Sequence, residues 1–123
     1  MAKKSAHTKA LEIIASHPDA FGIPGVVGYV IEQTLLGDGR RVIAQPDLVF
    51  FCKNEGVSEV YIVEYKGNGN GNYYLKAQDQ VARAASWFGK YTPYQPENIH
   101  FRIISGNDPK YKELFKEFMR KKR

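Results

Sequence analysis

Apolar residues recur at helical spacing in three parts of the chain. The first set predicts a helix over residues 5–16, with Ser5 or Thr8 as N-cap and His17-Pro18 at its end. The second set predicts a helix over residues 73–90. The third follows the helix-start signal at residues 106–109 and predicts a buried stripe that packs on a sheet, formed by Tyr111, Leu114, Phe115 and Phe118.

Between these helices lie runs of β-branched and aromatic residues, which favour strands. Residues 46–51 and 59–66 are two such runs, and the polar segment between them indicates a β-hairpin. Residues 26–36 predict another strand, with a short helix from Pro24 as the alternative, and an extended pattern resumes at residues 41–44. Residues 99–104 alternate as a last strand. The predicted order is helix, three strands, helix, strand, helix, which is an α/β fold.

A hairpin whose tight turn lies at Glu55-Gly56 sets Asp47 opposite Glu64. Side chains alternate along a strand, so Glu64 and Lys66 project to one side and Tyr65 to the other. Two adjacent carboxylates repel each other unless a cation lies between them, and a hard divalent metal is the usual solution. A lysine beside such a metal can orient water or stabilise charge on a phosphate. The hairpin therefore predicts a metal site at one end.

Pro46-Asp47, followed by Glu64-Tyr65-Lys66 on the next strand, resembles the PD-(D/E)xK nuclease superfamily, which includes RecB-type nucleases, archaeal Holliday-junction resolvases and many restriction enzymes. The resemblance covers most of the chain and implies a restriction-endonuclease-like α-β-β-β-α-β core, a central mixed sheet flanked by helices, with one added C-terminal helix. It implies a metal-dependent endonuclease that hydrolyses phosphodiester bonds in DNA. Asp47, Glu64 and the main-chain carbonyl of Tyr65 would hold Mg²⁺, for which Mn²⁺ can substitute, and Lys66 would orient the attacking water.

The resemblance also implies supporting residues on the flanking helices. A glutamate of the first helix often reaches the metal or its water, which points to Glu12; the helical alternative for residues 26–36 would give that role to Glu32. A glutamine of the next helix corresponds to Gln80, but the tyrosine that follows four residues later in RecB-type members is replaced by Ala84. Contacts to nucleic acid are expected from Lys76, Arg83, Asn68 and Asn70.

Composition narrows the class of protein. A length of 123 residues indicates one domain over residues 1–123, and a hydrophobic fraction of 43% indicates a folded globular protein. The net charge of +5 favours a polyanionic partner such as DNA. Cys52 is the single cysteine, which excludes an internal disulfide and a cysteine-based metal site. No apolar run approaches the roughly 20 residues of a membrane span, so a cytoplasmic location is expected.

The sequence is also compatible with two other functions. The small size and Ala84 also fit a non-catalytic nucleic-acid-binding module that retains the nuclease fold, and a third possibility is a basic structural protein with a coincidental motif. Structure-selective cleavage, by a homodimer or through recruitment to a larger complex, is expected if the chain is a nuclease. His7, His17 and His100 have no second histidine or cysteine at metal-binding spacing and are expected to be surface residues.

Overall fold

The fold is a mixed α/β arrangement in which helices flank a four-stranded sheet. The computed structural model describes residues 5–67 and 71–121, which contain three α-helices and six β-strands. In chain order these are α1 (Ala6–Ser16), β1 (Val26–Ile31), β2 (Leu35–Leu36), β3 (Val42–Ala44), β4 (Leu48–Asn54), β5 (Val57–Lys66), α2 (Gly71–Tyr91), β6 (Ile99–Ser105) and α3 (Pro109–Lys121). Asn68 and Asn70, which the sequence predicts to contact nucleic acid, lie outside the described residues.

The main sheet has the strand order β1-β4-β5-β6. β1, β4 and β5 are antiparallel neighbours, whereas β6 runs parallel to β5. Parallel neighbours need a crossover connection, and α2 provides it while packing on β5 and β6. The sheet is therefore mixed, with an antiparallel part followed by one parallel strand.

The predicted strand over residues 26–36 forms two strands instead of one. β1 ends at Ile31, and Glu32 has a φ of +54°, a left-handed conformation that does not continue a strand. β2 then pairs with β3 in a separate two-stranded sheet. The helical alternative for this segment is wrong, because β1 is paired along its length with β4.

The central hairpin has the predicted register. Seven residue pairs, from Leu48 with Val63 to Asn54 with Val57, connect β4 and β5 without a shift. The turn lies at Glu55-Gly56, where the φ values are 52° and 81°. Two left-handed residues in a two-residue loop match the twist of the flanking strands, as in a type I′ turn. The next pair in this register is Asp47 with Glu64.

Two apolar cores cover the two faces of the sheet, because side chains alternate along each strand. One face of β4 and β5 packs against α1 and α3 and contributes Leu48, Phe50, Cys52, Tyr61 and Val63. The opposite face packs against α2 and contributes Val49, Phe51, Val60 and Ile62. Glu64 follows Val60 and Ile62 in this alternation, so it faces the α2 side.

The three predicted helices are confirmed, and the starts of α1 and α3 have the expected caps. The hydroxyl of Ser5 accepts a hydrogen bond from the N–H of Thr8 at 3.1 Å, and the carboxylate of Asp108 accepts one from the N–H of Lys110 at 2.8 Å. α3 packs beside α1 on one face of the sheet, as predicted, with Tyr111 buried and Leu114 and Phe118 partly buried. Phe115, the remaining member of the predicted buried stripe, is 40% exposed. Among the described residues, no helix combines the length and apolar surface needed to cross a membrane.

Candidate active site

Two carboxylates meet where β4 begins and β5 ends. Glu64 is 2% exposed, and its side chain is hydrogen-bonded to that of Asp47. Asp47 lies immediately before β4, and its side chain is 15% exposed. Glu64 is the one buried charged residue within residues 5–67 and 71–121. The hairpin register, read from the sequence, explains why the two acids lie side by side.

Burial is the main reason why the pKa of Glu64 rises from its ordinary value of 4.5 to about 9. The hydrogen bond to Asp47 and the repulsion from its charge raise this pKa further, whereas the positive charge of Lys66 lowers it. Near neutral pH, Glu64 therefore keeps its proton. A cation that arrived between the two groups would release this proton.

Asp47 is held in orientation by two groups from other elements. The main-chain N–H of Tyr65 donates to Oδ2 at 2.8 Å, and Nε2 of His7 lies 3.1 Å from Oδ1. His7 belongs to the first turn of α1, and its ring also lies 5.9 Å from the ring of Tyr65. Both carboxylate oxygens of Asp47 thus have a partner besides Glu64.

His7 is the site residue that the sequence does not reveal. The sequence predicts a surface histidine, but the structure brings its imidazole to Asp47, which is 40 residues away in the chain. No motif links two residues at that separation, so the contact follows only from the position of α1 beside β5. The other histidines lie elsewhere: His17 contacts the carbonyl of Ile13 in its own helix, and His100 pairs with Glu59.

Lys66 is the last residue of β5 and lies on the same side of the strand as Glu64. It is half-buried, and its charge acts on Glu64. Its main-chain carbonyl accepts a hydrogen bond from the N–H of Gly106 at 2.7 Å, which ties the end of β5 to the loop after β6. A Cβ on Gly106 would lie 2.7 Å from the carbonyl oxygen of Gly67, so this close approach of two backbones requires glycine.

Tyr65 lies between Glu64 and Lys66, and its side chain faces the opposite core, as predicted. Its ring is 5.1 Å from that of Tyr111 on α3. Burial and a hydrogen bond to the side chain of Tyr65 both raise the pKa of Tyr111. The main chain of Tyr65, whose carbonyl the resemblance implies as a metal ligand, is therefore fixed by Asp47 and by ring packing.

The structure places Glu12 apart from this pair. Glu12 lines a cavity of about 210 Å³ between α1 and α3, together with Glu117 and Lys121. A side chain five residues after His7 points about 140° away around a helix and lies about 7.5 Å farther along it. We therefore include His7 of α1 in the candidate site, whereas the metal role that the resemblance implies for Glu12 stays a prediction.

Glu32, the alternative to Glu12, lies closer to the pair through its main chain. Its N–H donates to the carbonyl of Asp47 at 2.8 Å, because β1 is the neighbour of β4. The Glu32 residue itself is exposed. It is therefore adjacent to the candidate site without being buried in it.

α2 presents Gln80 close to the stripe of residues that packs on the sheet. Oε1 of Gln80 is buried and has no hydrogen-bond partner among the described residues. Ala84, one turn later, is fully buried, so a small packed residue stands where RecB-type members of the resembled family have a tyrosine. A buried amide oxygen without a partner is a free acceptor, and its helix covers the face of the sheet to which Glu64 belongs.

The two α2 residues predicted to contact nucleic acid are both exposed. Lys76 lies in the first part of the helix, and Arg83 forms an ion pair with Asp79 at 3.1 Å. An exposed pair of this kind contributes little to stability. A phosphate could therefore replace Asp79 as the partner of Arg83 at small cost.

The donors at this end of the sheet are oxygens, which suit Mg²⁺. No cluster of three or more His, Cys, Asp or Glu side chains that could hold a metal occurs in the part of the chain that the structure describes. The implied ligand set needs only the carboxylates of Asp47 and Glu64 and one main-chain carbonyl, because Mg²⁺ keeps several of its waters in such sites. The unpartnered Oε1 of Gln80 is a further oxygen of the right kind.

No protein-family model, curated protein or solved structure matches this chain. The candidate site is therefore defined by its geometry alone. Its parts are the buried Glu64 with its partner Asp47, the lysine that ends the strand of Glu64, and the His7 and Tyr65 groups that orient Asp47.

Proposed function

We propose that the protein is a metal-dependent endonuclease that hydrolyses phosphodiester bonds in DNA. The observation that carries this proposal is the buried Glu64 hydrogen-bonded to Asp47, with Lys66 at the end of the same strand as Glu64. Burying one acid beside another destabilises a fold, whereas apolar residues at the same positions would stabilise it. The element order α1, β1, β4, β5, α2, β6 supports a restriction-endonuclease-like core, to which α3 is added.

Asp47, Glu64 and the main-chain carbonyl of Tyr65 would hold the metal, and the amide oxygen of Gln80 is a candidate for holding one of its waters. Mg²⁺ or Mn²⁺, when bound, lowers the pKa of a bound water and offsets negative charge on the phosphate. Glu64 loses its proton on becoming a ligand, because a nearby cation reverses the repulsion that raises its pKa. Lys66 is close enough to lower the pKa of Glu64, so its ammonium group is available to orient the attacking water.

The charge of the chain supports a polyanionic substrate. The net charge is +5, and Lys76 and Arg83 are the proposed phosphate contacts on α2. We further propose cleavage that is selective for DNA structure, by a homodimer or within a larger complex, as the resemblance implies. The buried free thiol of Cys52, whose pKa burial raises to about 11, fits a reducing compartment such as the cytoplasm.

Cleavage assays test the proposal on duplex, single-stranded and branched DNA and on matched RNA, each with Mg²⁺ or Mn²⁺. We expect Asp47→Ala and Lys66→Ala to lower the cleavage rate at least about 1,000-fold, since each removes a group that acts on the charge of the transition state. Lys53→Ala removes an exposed lysine of β4 and is the control for loss of charge. Cleavage that survives in both site variants, or the absence of cleavage by wild type on every substrate, would overturn the proposal.

A non-catalytic nucleic-acid-binding module with the same fold is the second candidate. It is favoured by Ala84, which is fully buried at the position where RecB-type members of the resembled family have a tyrosine. For such a module, DNA binding persists in EDTA, and neither Mg²⁺ nor Mn²⁺ produces cleavage of any DNA structure.

A further inference from the structure

A groove between α1 and α3 opens on the face of the sheet opposite α2. It has a volume of about 600 Å³, and Tyr65 of β5 is one of its lining residues. Tyr111 also lines it, and Phe115 and Met119 of α3 are 40% and 47% exposed there. Large apolar side chains that are exposed together in a groove mark a binding surface, unlike single exposed residues.

A series of aromatic rings connects this groove with the carboxylate pair. His7, which contacts Asp47, lies 5.9 Å from the ring of Tyr65. Tyr65 lies 5.1 Å from Tyr111, and Tyr111 lies 6.1 Å from the exposed ring of Phe115. The rings thus lead from the candidate active site to the surface of α3.

The charges in the groove are positive. Its charged lining residues, among those that the structure describes, are Lys9 of α1 with Lys112 and Lys116 of α3. Lys112 and Lys116 are four residues apart on one helix, so they lie on the same face and repel each other. An anion bound between them would relieve this repulsion.

We propose that the groove binds an unpaired segment of a nucleic acid strand, with a base against Phe115 and Met119 and phosphates at the three lysines. Aromatic rings hold single strands by stacking on the faces of bases, while basic side chains follow the backbone. In a duplex those faces are covered by neighbouring base pairs, so the exposed ring of Phe115 favours an unpaired strand. The volume of about 600 Å³ is typical of sites that hold a small molecule, which is the scale of a nucleotide.

One part of this inference rests on the proposed nuclease function, namely that the bound strand leads from the groove toward the candidate site. Tyr65 lines the groove, whereas the side chains of Glu64 and Lys66 face the other side of the sheet. A strand in the groove would therefore approach the candidate site at the end of β5, where the N–H of Tyr65 and the ring of His7 contact Asp47. The proposal deepens that function by naming the substrate class, which is DNA with a single-stranded segment next to the cut. Binding in the groove requires no metal, so it can be measured separately from cleavage.

Fluorescence anisotropy in EDTA, with labelled oligothymidylate and a duplex of equal length, tests the proposal. We expect tighter binding of the single strand by wild type and about 10-fold weaker binding by Lys112→Gln/Lys116→Gln. Loss of two phosphate contacts should also reduce the slope of log affinity against log salt by about 1.4, at about 0.7 per contact. Lys53→Gln/Lys90→Gln removes the same charge from exposed positions outside the groove and should bind as wild type does.

Substitutions of Phe115 test base stacking. Phe115→Ala should weaken single-strand binding about 10-fold, because one stacked ring is lost. Phe115→Tyr keeps the ring and should retain the affinity of wild type. Thermal unfolding of all variants establishes that each is folded, which is expected for a side chain that is 40% exposed.

Four other results would decide between the possible roles of the groove. Equal affinity for single-stranded and duplex DNA, or equal losses in the two double-lysine variants, would overturn the groove proposal even if cleavage depends on Asp47. Self-association that is lost in Phe115→Ala, with single-strand binding unchanged, would assign the groove to a second copy of the chain and also overturn it. Groove-dependent binding without any cleavage by wild type would support the groove and overturn the nuclease function.

Discussion

Glu59 and Glu64 lie on the same strand, β5, but their surroundings are opposite. Glu59 is hydrogen-bonded to His100 at 2.6 Å and to Asn54 at 3.0 Å, and these bonds hold its pKa below the usual value. Glu64 is buried beside Asp47, and its pKa is raised to about 9. Glu59 thus accepts hydrogen bonds from donors of the same chain, whereas Glu64 has a second acid as its neighbour.

This difference distinguishes an acid that stabilises the fold from one that destabilises it. The hydrogen bonds of Glu59 favour its charged form, so they contribute to stability at neutral pH. Glu64 is buried in the folded protein in its protonated form. A fold optimised only for stability would not need a buried acid at this position. Strongly raised pKa values beside a specific charged partner are typical of functional sites.

The largest effect that we expect is on the pH dependence of stability. The pKa of Glu64 is about 9 in the folded protein against an ordinary value of 4.5, so the unfolded chain loses this proton at lower pH. Between these two values the folded state binds more protons, and the free energy of unfolding falls as pH rises, by up to about 1.4 kcal/mol per pH unit. Denaturant unfolding in EDTA should show this fall in wild type, and Glu64→Gln should remove it because the amide does not titrate.

Glu59→Gln is the matched control for this measurement. The lowered pKa of Glu59 means that its contribution to stability is present above pH 4.5 and is lost as the pH falls below that value. Glu59→Gln should therefore reduce the sensitivity to acid and leave the fall in stability toward alkaline pH unchanged. If Glu64→Gln and wild type show the same fall toward alkaline pH, Glu64 is not the acid whose pKa is raised.

Gly106→Ala should have the next largest effect, and it acts only at the Glu64 end of β5. The new Cβ would lie 2.7 Å from the carbonyl oxygen of Gly67 and 2.9 Å from the hydroxyl of Tyr65. A contact with backbone is not relieved by a side-chain rotation, so we expect a loss of about 1–3 kcal/mol in urea unfolding. Gly28→Ala in β1 meets no atom within 4 Å and is the control, and an equal loss there would contradict the predicted steric effect.

The smallest expected effect concerns His7, which orients Asp47. Replacing a residue that orients a metal ligand typically lowers metal affinity about 10- to 100-fold. His7 is partly exposed, so we expect about 10-fold weaker Mn²⁺ binding in His7→Ala and partial recovery in His7→Gln, which can still donate to Asp47. His17→Ala, directly after the same helix, is the control. Equal Mn²⁺ affinities in the two alanine variants would show that His7 does not contribute to the site.

The hairpin could be predicted from the sequence because its determinants are local. The turn at Glu55-Gly56 sets the register, and alternation along β5 then sets the relative positions of Asp47, Glu64 and Lys66. The caps at the starts of α1 and α3 are local signals of the same kind. These features could therefore be predicted without knowing how the helices pack.

The features that could not be predicted depend on packing between distant elements. An apolar stripe shows that a helix has a buried face but not what covers it, so the position of α3 beside α1 and the exposure of Phe115 were not evident. The same packing places Glu12 in a separate cavity and His7 against Asp47. The break at Glu32 depends on a left-handed residue that apolar patterning does not encode.

The most direct test of a metal site at Asp47 and Glu64 is calorimetric titration of Mn²⁺ into metal-free wild type, Glu64→Gln and Glu59→Gln at neutral pH. We expect wild type and Glu59→Gln to bind Mn²⁺ with release of a proton, because Glu64 must ionise to become a ligand. Glu64→Gln should bind Mn²⁺ at least about 100-fold more weakly and should release no proton on binding. Equal affinity in Glu64→Gln and wild type, or no binding by wild type, would contradict a metal site at this pair.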